Sequence, residues 1–230
     1  MPSVIGQLLS GLHRLHVCDI VHNGIKPANS FLSTSGIARL GDLGSAFVDR
    51  AGAGFSPPRG TSWYSAPEAL LGSVHYGVSA DLWSMGCTMA ELAVGRPLFM
   101  GQAEGAVLAS IFRQLGKPTE EVSREMRRLP KWSPVYLNME RSSWPEDLPH
   151  SLGLHGTALL LQMLGLCAQS RPSAHTARMH AFFFPSTAPF PEMCQEPTGS
   201  SVQLVDSASV PTGSGTPSWL RGGDLSTRKK

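Results

Sequence analysis

Long apolar runs are missing from this 230-residue sequence: no uninterrupted stretch approaches the roughly 18 residues a membrane-spanning helix needs. Met1-Pro2-Ser3-Val4 carries no basic region ahead of an apolar segment, so no secretory leader is expected, and the cytoplasm or nucleus is the expected location. Paired cysteines are missing as well. Cys18, Cys87, Cys167 and Cys194 are widely spaced without a C-x-x-C, which argues against a zinc ribbon or a disulfide framework and fits a reducing compartment. Nor is there an excess of one charge. With 19 basic against 17 acidic residues, the formal charge of +2 gives no broad pull toward nucleic acid or an anionic membrane. No basic stripe or aromatic platform compensates, and Arg228-Lys229-Lys230 is too short to do so. A protein partner, recognised at a defined site, is what these absences leave.

At 41% hydrophobic, the chain can bury one sizeable core. Val4, Ile5, Leu8, Leu9, Leu12 and Leu15 recur at steps of three and four and predict a one-sided buried helix from near the start to about His16. Phe31-Leu32 and Ile37-Ala38-Arg39-Leu40 flank the turn-prone Ser33-Thr34-Ser35-Gly36, the pattern of a short hairpin. Residues 45–62, rich in Gly, Ala, Ser and Pro, read as a loop. From Ser79, taken as N-cap, Leu82, Trp83, Met85, Met89, Ala90 and Leu92 surround a helix axis, so this helix is expected at the centre of the core. Further helices are expected around Ala106 to Leu115, Gly156 to Leu166 and Ser173 to Phe182, with an irregular Pro- and Trp-containing segment between the first two. Past about Pro185 the composition turns to Pro, Ser, Thr and Gly, and residues 185–230 are expected to be a disordered tail.

The chemistry concentrates early. Ile20-Val21-His22-Asn23-Gly24-Ile25-Lys26-Pro27-Ala28-Asn29 matches the H-R-D-x-K-x-x-N loop of protein kinases at its His, Lys and Asn positions. Asp42-Leu43-Gly44 follows the predicted hairpin, where kinases carry D-F-G or D-L-G. Alone, such a tripeptide reads as an Asx-type turn; in order with the loop it gains weight. Gly60-Thr61-Ser62-Trp63-Tyr64-Ser65-Ala66-Pro67-Glu68 resembles the end of an activation segment. Asp81-Leu82-Trp83-Ser84-Met85-Gly86-Cys87 is similar to the D-x-W-S-x-G-C of the central helix of the kinase C-terminal lobe. Gly95-Arg96-Pro97-Leu98-Phe99-Met100-Gly101 and Phe112-Arg113-Gln114-Leu115-Gly116-Lys117-Pro118 look like G-x-P-L-F-x-G and F-x-x-L-G-x-P of cyclin-dependent and mitogen-activated kinases. Residues 4–184 therefore resemble the C-terminal lobe of a protein kinase of the cyclin-dependent-kinase-like group. The implied fold is mainly α with a short β-hairpin, spanning residues 1–184, with the N-terminal lobe absent.

The resemblance implies roles. Phosphoryl transfer needs a carboxylate to take the hydroxyl proton, a cation beside the moving phosphoryl group and oxygen ligands for magnesium. By resemblance Lys26 is the cation, and Asn29 and Asp42 are the ligands of Mg and thereby of ATP. These residues also admit a plainer reading as hydrogen-bonding scaffold. Asp81 is expected to hold the backbone of the loop, Glu68 to pair with Arg171, and His22 to pack in the core. The base position, however, is Gly24, which has no oxygen to accept a proton. Asn23, Phe47 and Ser65 stand where the group carries arginines, so Ser56, ahead of Pro57 and matching the family's activating phosphosite, lacks the cations that would grip its phosphate. No glycine-rich loop or strand lysine precedes the loop. The expectation is a pseudokinase-type binding or regulatory module with weak or absent ATP and Mg binding. The alternative is a truncated portion of a serine/threonine kinase that transfers the ATP γ-phosphate to protein. A cyclin is a family partner, disfavoured here because cyclins contact mainly the N-terminal lobe.

Overall fold

A short apolar stripe starts the structure. In the computed structural model, which describes residues 1–49, 62–74, 76–140, 142 and 144–184, helix α1 covers Pro2–Val17. Proline at its first turn lacks only an N–H that would be orphaned anyway. Ile5, Leu8, Leu9 and Leu12 are fully buried, as their spacing predicts. Strand β1 (Ile20–Val21) pairs antiparallel with β4 (Phe47–Val48), and β2 (Ser30–Leu32) pairs with β3 (Ala38–Leu40) in the predicted hairpin. β4 lies inside the segment read as loop. Two residues carry no period, so its strand character comes from β1 and not from its own sequence.

Helix α2 (Pro67–Leu70) is a single turn, and α3 (Val78–Val94) is the centre of the molecule. Ala80 through Ala90 are buried on every side of α3 apart from the half-buried Ser84. Its N-cap is Gly77 rather than Ser79: the extended backbone of Gly77 lets the helix begin earlier, and Ser79 sits in the first turn. Gly95, at φ 75°, ends the helix in the left-handed conformation that glycine adopts without penalty.

α4 (Glu104–Leu115) follows, and then α5 (Glu120–Met126), which lies in the segment expected to be irregular. The Thr119 hydroxyl accepts from the Val122 N–H at 3.4 Å, with Glu120 and Glu121 in the first turn, so the helix start was written in the sequence. α6 (Asp147–Met163) breaks at Gly153 (φ 66°) and packs along α3, and α7 (Ala174–Arg178), capped by Ser173, packs on α1. Trp83 stacks on Phe99 at 5.6 Å between ring centroids, and Phe112, Trp132 and Tyr136 form a second aromatic group beneath α4. The fold is mainly α with a short β-hairpin.

One glycine locks α4 in place. A Cβ on Gly101 would lie 2.6 Å from the Val107 backbone nitrogen and 2.8 Å from the Ala106 carbonyl carbon, rigid atoms that cannot swing aside. The Gly101 carbonyl also accepts from Trp63 Nε1 at 2.8 Å, so a shift there would pull on residues 62–66. Gly101→Ala is expected to cost about 1–3 kcal/mol of stability by overpacking, measured as a lower urea midpoint with unchanged slope.

Candidate functional site

The two strand pairs set the site. β1 enters the loop of residues 22–29 and β2 leaves it, while β3 enters residues 41–46 and β4 leaves them. Because β1 pairs with β4 and β2 with β3, the two loops are held side by side. The Gly41 N–H donates to the Asn29 carbonyl at 3.0 Å and closes the gap between them.

Asp81, only 1% exposed, fixes the first loop from below. Its carboxylate accepts from the His22 N–H at 2.8 Å, the Asn23 N–H at 2.9 Å and His16 Nε2 at 2.9 Å. Asn23 is thereby held at φ 54°, a conformation that a non-glycine residue adopts only when its surroundings impose it. Asn29 is buried, and its Nδ2 donates to the Gly24 carbonyl at 2.7 Å. Lys26 is half-buried, its carbonyl accepting from the Asn29 N–H at 3.0 Å and the Ser30 hydroxyl at 3.1 Å, while its ammonium has no hydrogen-bond or ion-pair partner among the described residues. Asp42 sits at φ 61° and ψ 71°, its Oδ1 accepting from the Gly44 N–H at 3.3 Å, as in an Asx-type turn. Gly24, Lys26, Asn29, Asp42, Tyr64 and Ser84 line one cavity of about 130 Å³. His22 is fully buried, and neither ring nitrogen has a partner among the described residues, a state that costs about 1–3 kcal/mol for a buried polar group.

At the positions where the resembled group carries arginines, the side chains are the uncharged Asn23, Phe47 and Ser65, and the first two pair locally. Asn23 Nδ2 donates to the Ser45 carbonyl at 3.4 Å, and the Asn23 side chain also hydrogen-bonds Tyr76. Phe47 meets Tyr76 edge-on at 6.1 Å. Burial raises the Tyr76 phenol above its ordinary value, with the Asn23 contact opposing. Ser56 lies outside the described residues, as do Gly60 and Thr61.

On the far side of α3, Arg171 donates to both Glu68 oxygens, at 2.7 and 2.8 Å, to the Gly165 carbonyl at 2.8 Å and to the Ser79 carbonyl at 3.1 Å. Its guanidinium carbon lies 5.1 Å from the Trp83 ring centroid. Tyr64 and Ser84 were not singled out from sequence. The Tyr64 hydroxyl donates to Glu91 at 2.7 Å, and the Ser84 hydroxyl donates to the Tyr64 carbonyl at 2.7 Å, so together they fix the cavity wall on α3. Burial pushes both the Tyr64 phenol and the Glu91 carboxyl up, which keeps that contact a neutral-donor hydrogen bond. Tyr64 and Ser84 both stand inside the motifs quoted from the sequence, in residues 60–68 and 81–87, but nothing in those motifs shows that the two side chains meet.

Residues 1–183 match the family model described as the protein kinase domain. The chain belongs to the protein kinase family. It falls in the cyclin-dependent-kinase-like group: it is similar to Cyclin-dependent kinase C-3 of Oryza sativa subsp. japonica, 36% identical over 178 residues that cover 77% of this chain and 55% of the relative. It is also similar to Cyclin-dependent kinase 20 of Homo sapiens and of Rattus norvegicus, each 35% identical over 199 residues, covering 83% of this chain and 55% of the relative. The chain thus spans about half the length of the curated relatives it matches. Protein kinases use ATP and magnesium, and the donor set here can be compared with that need. Asn29 Oδ1 and the Asp42 carboxylate are hard oxygen donors on one cavity, next to Lys26, whose ammonium has no partner among the described residues. Magnesium is commonly held by one or two such protein oxygens, with waters and substrate phosphates completing its shell, so these residues fit the ion. No helix among the described residues is long and apolar enough to cross a membrane.

Proposed function

We propose that this chain is a protein-kinase-fold module, residues 1–184, with little or no phosphotransfer, whose work is to bind a protein partner in the cytoplasm or nucleus. Gly24 carries the reading. In this family a carboxylate at that position accepts the proton of the attacking hydroxyl and orients it. Here the position ends at a Cα, and its carbonyl is engaged by Asn29. Lys26 would neutralise the moving phosphoryl group, and Asn29 and Asp42 would hold magnesium and through it ATP. With Asp42 committed to the metal and Asp81 to the His22 and Asn23 N–H groups, no carboxylate among the described residues lining the cavity is left to take the proton. Glu68, Arg171, Asp81 and His22 serve as scaffold in this reading, a role that outlives catalysis. Ser56 is at most a phosphosite without a switch, because Asn23 and Phe47 offer no cation to its phosphate.

The purified chain, incubated with labelled ATP, magnesium and generic protein substrates, is expected to transfer no phosphate. ATP-dependent labelling that disappears in Asp42→Ala would overturn the reading.

A second reading has its own support. Phe31, Leu32, Ile37, Leu43 and Val48 are 44–56% exposed, and all lie on the hairpin, the turn after it and β4. An apolar group of that kind marks a surface that something covers. Together with the half-length match, it supports a piece of a longer serine/threonine kinase whose remaining lobe packs there, with a cyclin as the partner the relatives' names suggest. An N-terminal peptide map of the endogenous protein separates the two: peptides encoded upstream of Met1 favour the longer kinase, and their absence favours the self-standing module.

A further inference from the structure

A second cavity, of about 570 Å³, opens between the last turns of α1, the start of α3 and the segment that leads into α7. Its volume lies within the range of small-molecule sites, about 300–1,000 Å³. Val17, Val78, Leu82, Pro172 and Ala174 give it an apolar lining, and the Glu68–Arg171 pair that also borders it is internally neutral.

The polar edge of this cavity is made of imidazoles. His13 of α1 and His175 of α7 both line it, their ring centroids 5.1 Å apart, and no nitrogen of either ring has a hydrogen-bond partner among the described residues. Both side chains reach solvent, His13 half-buried and His175 exposed, and neither His13 nitrogen is sealed from it. His16 lines the cavity too, but its Nε2 is already held by Asp81. The charges that act on His13 are Arg178, His175, Arg14 and His16, all basic. Arg178, on the last turn of α7, has no hydrogen-bond or ion-pair partner among the described residues. Carboxylates gather at another edge: Asp49 Oδ2 lies 2.5 Å from where a Cβ on Gly77 would stand, and the Asp49 N–H donates to the Asp19 carbonyl at 2.6 Å. One edge of the cavity is thus basic and another acidic, while the lining is apolar.

From this we infer that the cavity binds a small amphipathic acid, its apolar body against Val78, Leu82 and Pro172 and its carboxylate taking a hydrogen bond from each of His13 and His175. Two rings at this spacing offer one N–H each to the two oxygens of a planar head, Arg178 adds positive charge, and Asp49 keeps the head away from Gly77. Burial first, and then the basic neighbours, hold the His13 imidazole below its ordinary value, so a carboxylate that settles there draws a proton onto the ring. Binding therefore strengthens as pH falls. Only Tyr76 lines both this cavity and the one beside Gly24, so binding here is independent of whether phosphate is transferred.

The test uses the full chain with ¹³C-labelled histidine and phenylbutyrate as the probe. The ring Cε1–Hε1 signals are followed at constant ionic strength, at roughly pH 5.5 and roughly pH 8, which bracket the titration of imidazole. The His13 and His175 signals are expected to shift saturably, with a dissociation constant about fivefold lower at the acid end, the difference between a neutral and a charge-assisted hydrogen bond. Phenylbutyramide, which keeps the apolar body and loses the charge, is expected to bind about fivefold more weakly at the acid end and to show no pH dependence. His175→Gln, at an exposed position, and Arg178→Gln are each expected to weaken phenylbutyrate binding about threefold, read at His13. Rings that do not move overturn the inference. So does an amide that shifts the same signals as tightly as the acid, which would make the cavity an apolar crevice only. Equal affinity for the acid at both pH values overturns it as well, and so does binding unchanged in both variants.

Discussion

Arg171→Ala is expected to destabilise the fold by about 3–5 kcal/mol, the usual cost of stranding one member of a buried ion pair. The Arg171 side chain is fully buried and that of Glu68 is 14% exposed, so water cannot rescue the carboxylate left behind. The same truncation removes the donors to the Gly165 and Ser79 carbonyls and the cation over Trp83. One side chain therefore ties α2, the start of α3 and the segment between α6 and α7 together. For a domain of this size each kcal/mol moves the melting temperature by roughly 2–4 °C, so a fall of about 6–20 °C is expected. Arg171→Lys keeps the charge but loses the paired N–H geometry toward Glu68, and an intermediate loss is expected. A loss below about 1 kcal/mol for the alanine variant would mean that these elements are held by their apolar packing alone.

The features legible in the sequence share a physical cause: each repeats, or sits at a fixed offset from something that does. α1 could be read because Ile5, Leu8, Leu9 and Leu12 recur with the helical period and are the residues it buries. The hairpin could be read because Ser33 to Gly36 is turn chemistry between two apolar pairs, and Gly36 takes φ 81° in it. β4 could not, since a two-residue strand is defined by its partner. Ser79 carries the usual signal of a cap, a serine before an apolar run, yet the backbone of Gly77 starts α3 two residues earlier. α5 is harder to read: Thr119, Glu120 and Glu121 spell a helix start, but the neighbouring prolines and tryptophans carry the composition of irregular structure.

The site divides the same way. His22, Gly24, Lys26, Asn29 and Asp42 stand out by motif order, and Gly24 by what it lacks. What order does not convey is the state of each group. The unsatisfied His22 ring, the Asn29 amide turned onto the Gly24 carbonyl and the Phe47–Tyr76 contact depend on side chains meeting across the fold. Tyr64 and Ser84 belong to this class too, since their importance lies in bonds to Glu91 and to a backbone carbonyl on another segment.

Asp81→Ala is expected to cost about 3–5 kcal/mol as well, by a different route and with a different signature. It leaves the His22 N–H, the Asn23 N–H and His16 Nε2 without their acceptor, and each hydrogen bond to a charged group contributes about 1.5–3 kcal/mol before relaxation. Relaxation returns part of this, because Asn23 no longer has to hold φ 54° once its N–H is released. Asp81→Asn keeps one acceptor oxygen and turns the other into a donor that faces donors, so roughly half the loss is expected. The signature is local. In Asp81→Asn the amides of His22 and Asn23 are expected to lose hydrogen-exchange protection ahead of the core of α3, because the loop opens without global unfolding. Arg171→Lys, whose contacts lie on the other side of α3, is expected to leave the protection of those two amides relative to the core unchanged. If they stay protected in Asp81→Asn, the loop is positioned by its strand pairs and the Gly41–Asn29 bond, and Asp81 is a passenger beneath it.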